Sequence, residues 1–179
     1  MIIASHSTYT PLTREIAHKI KGETEGGTRI PDNEYAYAQS VAASEMARFV
    51  NKGDILIPIP SRKGYATHTL DLANAIAKIT GAEVKDIMKG KDRQSSYETK
   101  KEGKTLSTDD FGFHLTEPVG GSVVYIDNVA SSGATARAAE ACHKGNTLVY
   151  VSTGGRENPR LNEPRGFKRE RRMIRSFTR

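Results

Sequence analysis

Two short aliphatic runs constrain this chain more than any other feature. Ile55-Leu56-Ile57-Pro58-Ile59 and Val123-Val124-Tyr125-Ile126 are each too short for a helix and too continuously apolar for a half-exposed strand. Such runs fit strands buried on both faces, the environment of a parallel sheet covered by helices. Each ends in turn chemistry and is followed by a helical pattern. After the first come Pro60 and Gly64, then Leu70, Ala73, Ile76 and Ala77 within Thr67 to Thr80, with Gly81 as the stop. After the second comes a small, hydroxylated turn and an Ala-rich helix from Gly133 to Lys144. Thr147 to Val151 then reads as a further strand. Strand-helix-strand units joined in this way imply right-handed crossovers and a mainly parallel sheet flanked by helices, an α/β fold.

The flanking segments fit that frame. Thr10-Pro11 opens a helix with Leu12, Ile16 and Ile20 on one face, and Gly22 ends it. Residues 22–33 read as a loop. A second helix is expected from Asn33 to Asn51, with Ala38, Val41, Ala42, Met46 and Phe49 as its stripe. Glu83 to Met88 is expected to form one short strand. Residues 89–110 then break the pattern, with six Lys/Arg, five Asp/Glu and few aliphatics. A connection of that length within one domain is usually functional or mobile, and Glu98 to Thr105 is its expected disordered tip. No internal repeat is present.

Charge divides the chain. The 179 residues carry a net charge of +6, and residues 156–179 alone hold nine Lys/Arg and three Asp/Glu. Residues 1–155 are therefore neutral, and the domain (1–153) is expected to be followed by a basic tail (154–179). The tail contains Gly154, Gly155, Pro159 and Pro164, then a stretch with Phe167, Ile174 and Phe177. It suits a solvated end, a segment docked on the body, or a binder of nucleic acid. No run approaches a membrane span, and the N-terminus turns polar too early for a signal peptide. Cys142 is the only cysteine, which excludes an intrachain disulfide and fits a reducing, cytoplasmic setting. The five histidines show no zinc spacing.

In an open parallel sheet, ligands bind beyond the carboxyl ends of the strands. Two segments stand there. Asp127-Asn128-Val129-Ala130-Ser131-Ser132-Gly133-Ala134-Thr135 places small and hydroxylated residues at a helix N-terminus, where free N–H groups and the dipole favour phosphate. Asp127 can accept hydrogen bonds from sugar hydroxyls. Ser61-Arg62-Lys63-Gly64 brings two cations on a turn that glycine permits, suited to a second phosphate.

Val123 to Thr135 resembles the phosphoribosyl-pyrophosphate (PRPP) motif of type I phosphoribosyltransferases: four apolar residues, two acids, an apolar pair and a small, hydroxylated phosphate loop. Tyr9-Thr10-Pro11-Leu12 to Lys21-Gly22, Ile57-Pro58-Ile59-Pro60 with Arg62 and Gly64, and Arg93-Gln94-Ser95 resemble, in order, the ComF-like branch of that family. The resemblance implies a type I phosphoribosyltransferase fold, PRPP and a nitrogenous acceptor as substrates, and pyrophosphate as product. It gives Asp127 and Asn128 catalytic roles at the ribose, with Asp127 also facing Mg2+ directly or through water. Ala130, Ser131, Ser132, Gly133, Ala134 and Thr135 would hold the 5-phosphate, and Ser61, Arg62, Lys63 and Gly64 the pyrophosphate. Residues 89–117 would be a hood loop closing over the substrate, with Arg93, Gln94, Ser95, Ser96 and Tyr97 touching PRPP and Lys100, Lys101 and Lys104 neutralising pyrophosphate. Homodimers are common in the family.

Two departures stand out. Asn128 replaces the second acid, which removes a charge near the metal. Ser131 stands where 6-oxopurine-salvage members have an acid, which disfavours those acceptors. The alternative implied by the resemblance is a non-catalytic, ComF-like accessory protein that binds PRPP or a nucleotide, with its tail on nucleic acid or a protein partner. Cys142, His68, His114, Tyr35 and Tyr37 read as structural.

Overall fold

The computed structural model describes residues 1–94, 99, 101–103 and 106–153. Strands β1 (Ile2–His6), β2 (Asp54–Pro58), β3 (Glu83–Val84), β6 (Ser122–Ala130) and β7 (Asn146–Ser152) form one sheet, every pairing parallel, in the order β1-β7-β6-β2-β3. Strands β4 (Met88–Lys89) and β5 (His114–Leu115) pair antiparallel, apart from that sheet. The helices are α1 (Pro11–Lys19), α2 (Asp32–Met46), α3 (His68–Thr80), α4 (Thr108–Phe111) and α5 (Ala134–Cys142), with a 3-10 turn at Ala47–Phe49. The α/β class and the mainly parallel sheet expected from the two aliphatic runs are what the chain adopts. No helix of the described residues is long and apolar enough to cross a membrane.

Side chains alternate across the sheet with the period of two that a strand imposes. Leu56, Val124, Ile126, Leu148 and Tyr150 face a layer built from α1, α2 and α3. Ile57, Val123 and Tyr125 face the opposite layer, with Ala139 of α5 and with Ile87 and Met88. On α2, Ala38, Ala42 and Ala43 are buried and let the helices pack closely. A larger side chain there would overpack the layer and cost about 1–3 kcal/mol.

This topology defines a crevice. The connection through α3 carries the chain from β2 outward to β3. The connection through α5 carries it from β6 the other way, to β7. Because α3 and α5 lie on opposite faces, their first turns diverge above β2 and β6. That is a topological switch point, where open α/β sheets bind ligands.

The sequence-based expectations need four corrections. Ile2–His6 is an edge strand, paired from Ile2↔Thr147 to His6↔Val151, that the sequence reading did not include. The expected strand from Glu83 to Met88 is two strands in two sheets, β3 and β4. Helix α2 spans Asp32–Met46, short of Asn51, and tightens into the 3-10 turn. Strand β6 runs to Ala130, into the segment from Asp127 expected to lie beyond the strand, because pairing with β7 continues to Ala130↔Ser152.

The 89–117 segment starts and ends in the β4-β5 ladder, Met88↔Leu115 and Lys89↔His114, so its two ends are clamped together. Its expected contacts at Ser95, Ser96, Tyr97, Lys100 and Lys104, and the tail 154–179, lie outside the described residues.

Candidate functional site

Four elements converge on the switch point. The first is the turn after β2. The N–H of Gly64 donates to the Ser61 carbonyl (3.0 Å), that of Ser61 to the Tyr65 carbonyl (3.0 Å) and that of Lys63 to the Ser61 hydroxyl (3.3 Å). These donors are spent on the turn itself, so the loop presents side chains to a ligand rather than a ring of N–H groups. Arg62 and Lys63 are exposed, and Lys63 Nζ lies 3.4 Å from Asp92 Oδ2. The turn requires glycine at its end, since Gly64 has φ +84°.

The second element is the base of the expected hood loop, docked on that turn by backbone bonds from Gly90 N–H to the Gly64 carbonyl and from Arg93 N–H to the Arg62 carbonyl, both 2.9 Å. Arg93 is thereby fixed in place. Its guanidinium lies 4.4 Å from the Phe111 ring centroid, and Nη1 donates to the Gln94 carbonyl (3.2 Å). Its Nε is buried without a hydrogen-bond partner among the described residues. Burial lowers the guanidinium pKa, and the Asp127 charge partly offsets this.

The third element is β6 and the turn into α5. Asp127 is half-buried, and its Oδ1 accepts the N–H of Asn128 (2.8 Å). Burial pushes its carboxyl up to about 6, against the Asn128 N–H and the charges of Lys21 and Arg93, which pull it down. Three residues past the strand, Gly133 caps α5 with φ +74°. The N–H groups of Ser132, Gly133 and Thr135 donate to no acceptor among the described residues, and that of Ala134 makes only a long contact (3.4 Å) with the Ser132 hydroxyl. Arg137 Nη1 donates to the Ser132 carbonyl (3.0 Å), which turns that carbonyl toward the helix. The arrangement leaves a group of N–H donors at a helix N-terminus, complementary to an oxyanion.

The fourth element was not singled out as a site from sequence. Lys21, just past α1, acts electrostatically on both Asp127 and His68. It also lines a cavity of about 620 Å3 with Tyr35, Ala66, Thr67, His68 and Asp71. Burial drives the His68 imidazole down to about 4, so it is neutral near pH 7. Tyr35 donates to Asp71 (2.6 Å), and Gln39 holds the Tyr35 hydroxyl and the His68 carbonyl (both 3.1 Å). The sequence marks Lys21 only as the residue before the Gly22 helix stop, which says nothing of Asp127.

Asn128 behaves differently from the expectation that it reaches a ribose hydroxyl. Alternation along β6 turns it away from Asp127 into the helical layer. It is 3% exposed, and Nδ2 donates to the Ala17 carbonyl (3.1 Å). Its side chain also hydrogen-bonds His68. Asn128 therefore ties β6 to α1 and to the start of α3, which positions the cavity wall.

As a donor set for the expected Mg2+, the site offers the Asp127 carboxylate, on which the charges of Lys21 and Arg93 act, while Asp92 is paired with Lys63. Among the described residues no group of three or more His, Cys, Asp or Glu could hold a metal ion. These residues do not fit a metal held by the protein.

The class that the fold defines is an open parallel α/β domain, with backbone N–H donors and basic side chains gathered at its switch point. No protein-family model matches the chain, and no curated protein does. Among solved structures, the chain is similar to the UMP synthase of Leishmania donovani, at 15% identity and a TM-score of 0.39, over 79% of this chain and 31% of that one. It spans about a third of that protein's length.

Proposed function

We propose that the chain is a phosphoribosyltransferase of the type I fold that binds PRPP in the switch-point crevice and transfers its phosphoribosyl group to a nitrogenous acceptor. One observation carries this reading. Adjacent strands β2 and β6 lead into the Arg62-Lys63 turn and the α5 N-terminus, with Asp127 before the latter. Two anion sites flanking a carboxylate suit a sugar bearing a phosphate at one end and pyrophosphate at the other.

In the proposed reaction the bond from anomeric carbon to pyrophosphate oxygen breaks as a bond to the acceptor nitrogen forms. Pyrophosphate leaves, and the acceptor's proton passes to solvent. The N–H groups at Ser132, Gly133 and Thr135 hold the 5-phosphate. Arg62, Lys63 and Arg93 take up charge on the leaving group, and Asp127 orients the ribose hydroxyls and faces the cationic sugar. Positioning and charge complementarity are the catalytic means available to such a site. The cavity lined by Lys21 and His68 receives the acceptor.

A second reading is favoured by the buried Asn128. With one carboxylate at the ribose, a ComF-like accessory role, binding PRPP or a nucleotide without turnover, also fits. Calorimetry with PRPP tests both: absence of heat at millimolar ligand removes both. Pyrophosphate release in a screen of bases and amines then separates them, since binding without release supports the accessory role.

A further inference from the structure

The crevice sets the Asp127 carboxylate among several cations, of which Lys63 is already paired with Asp92. Lys21 and Arg93 both act on Asp127, and Arg62 and Lys63 stand on the turn one strand away. Asn128 holds the place of the second acid in the two-acid pattern, and its side chain points away from Asp127, with its amide committed to the Ala17 carbonyl and His68. Mg2+ seeks an octahedral set of hard oxygens, drawn from water, substrate phosphates and one or two carboxylates, so the charge around the carboxylate decides whether it is held. Here a dication would gain one carboxylate, already accepting an N–H and already under the positive charges of Lys21 and Arg93.

We propose that this crevice binds a pyrophosphate-bearing ribose 5-phosphate without a divalent cation, with Arg93 and Lys21 supplying the positive charge. The inference rests on the phosphoribosyl reading above. Arg93 is suited to the task because its backbone is docked on the Arg62 turn and its guanidinium is stacked on Phe111. A guanidinium held in place binds phosphate oxygens at little cost in ordering. Lys21 acts on Asp127 from the end of α1, where it lines the cavity with His68.

The test is titration calorimetry of the full chain with PRPP and with ribose 5-phosphate, each in excess EDTA and in excess Mg2+. The expected result is a PRPP affinity that differs between the two buffers by less than about fivefold, and that falls in EDTA by more than about fivefold in Lys21→Met and in Arg93→Met. Lys21 is exposed, so its variant keeps the fold if the Arg93 variant does not. A larger dependence on Mg2+, or unchanged affinity in Lys21→Met, overturns the inference. Ribose 5-phosphate binding in both buffers while PRPP binds only with Mg2+ overturns it and leaves the phosphoribosyl reading standing. No binding of either ligand in either buffer overturns both.

Discussion

The N–H of Gly90 donates to the carbonyl of Gly64 at 2.9 Å, and a Cβ placed on Gly64 would stand 2.4 Å from the Gly90 oxygen. Two peptide backbones are thus in contact where the β2 turn meets the base of the 89–117 segment. Gly64 also has φ +84°. Gly64→Ala therefore meets both a backbone penalty and a clash that no side-chain rotation relieves. The expected destabilisation is about 2–4 kcal/mol, read by urea unfolding. PRPP affinity should fall as well, because the same contact holds Arg62 and Arg93 together. A variant with wild-type stability would show that the two backbones are not so close.

Asp127 carries a stability cost that ligand binding would use. Its carboxyl is raised to about 6 by burial, so folding favours the protonated form. The contribution of this group is fully present below about pH 4 and is lost as pH rises through 6. Asp127→Asn keeps an acceptor for the Asn128 N–H and removes the charge. It should stabilise the protein by about 1–3 kcal/mol at pH 8 and by nothing at pH 4, while weakening PRPP binding. Thermal melts at the two pH values check this, and an equal gain at both would exclude a buried charge as the cause.

How much of this was legible follows from where the information lies. Ile55–Ile59 and Val123–Ile126 announced β2 and β6 because both faces of a central strand are apolar. The turns after them followed from their small, basic and hydroxylated residues. Ile2–His6 was not legible, since an edge strand has only one covered side and β1 is specified by its pairing with β7. The end of β6 was also hidden. Asn128 looks like a turn residue, and only continued pairing with β7 shows it to be a buried strand position. The place of Lys21 beside Asp127 comes from tertiary packing that joins distant segments, and no local pattern encodes it.

Asn128→Asp restores the two-acid pattern in sequence and tests whether that position acts on the ligand. In this fold the new carboxylate oxygen would face the Ala17 carbonyl, where the amide now donates. Its remaining partner is His68, neutral because burial drives it to about 4. The variant should lose about 2–4 kcal/mol at pH 8 and regain part of it toward pH 5, as His68 protonates and pairs with the carboxylate. Pyrophosphate release should not rise. Wild-type stability combined with a gain in release would place this side chain at the ribose.

The turn into α5 separates loss of fold from loss of ligand. A Cβ on Gly133 would come within 3.0 Å of Ile2 Cδ1 and 3.1 Å of Arg137 Nη1, at φ +74°. Both neighbours are ends of side chains and can give way, so Gly133→Ala should cost mainly the left-handed backbone, about 1–2 kcal/mol. The N–H groups around it would be re-aimed, and ribose 5-phosphate affinity should drop by about tenfold or more. In contrast, the Ser132 hydroxyl makes only the long contact with Ala134 N–H. Ser132→Ala should therefore leave the melting temperature unchanged and weaken ribose 5-phosphate by about fivefold, the share of one hydroxyl donor. Calorimetry and melts on both variants give the two readings. Unchanged ribose 5-phosphate affinity in both would remove the α5 N-terminus as the phosphate site.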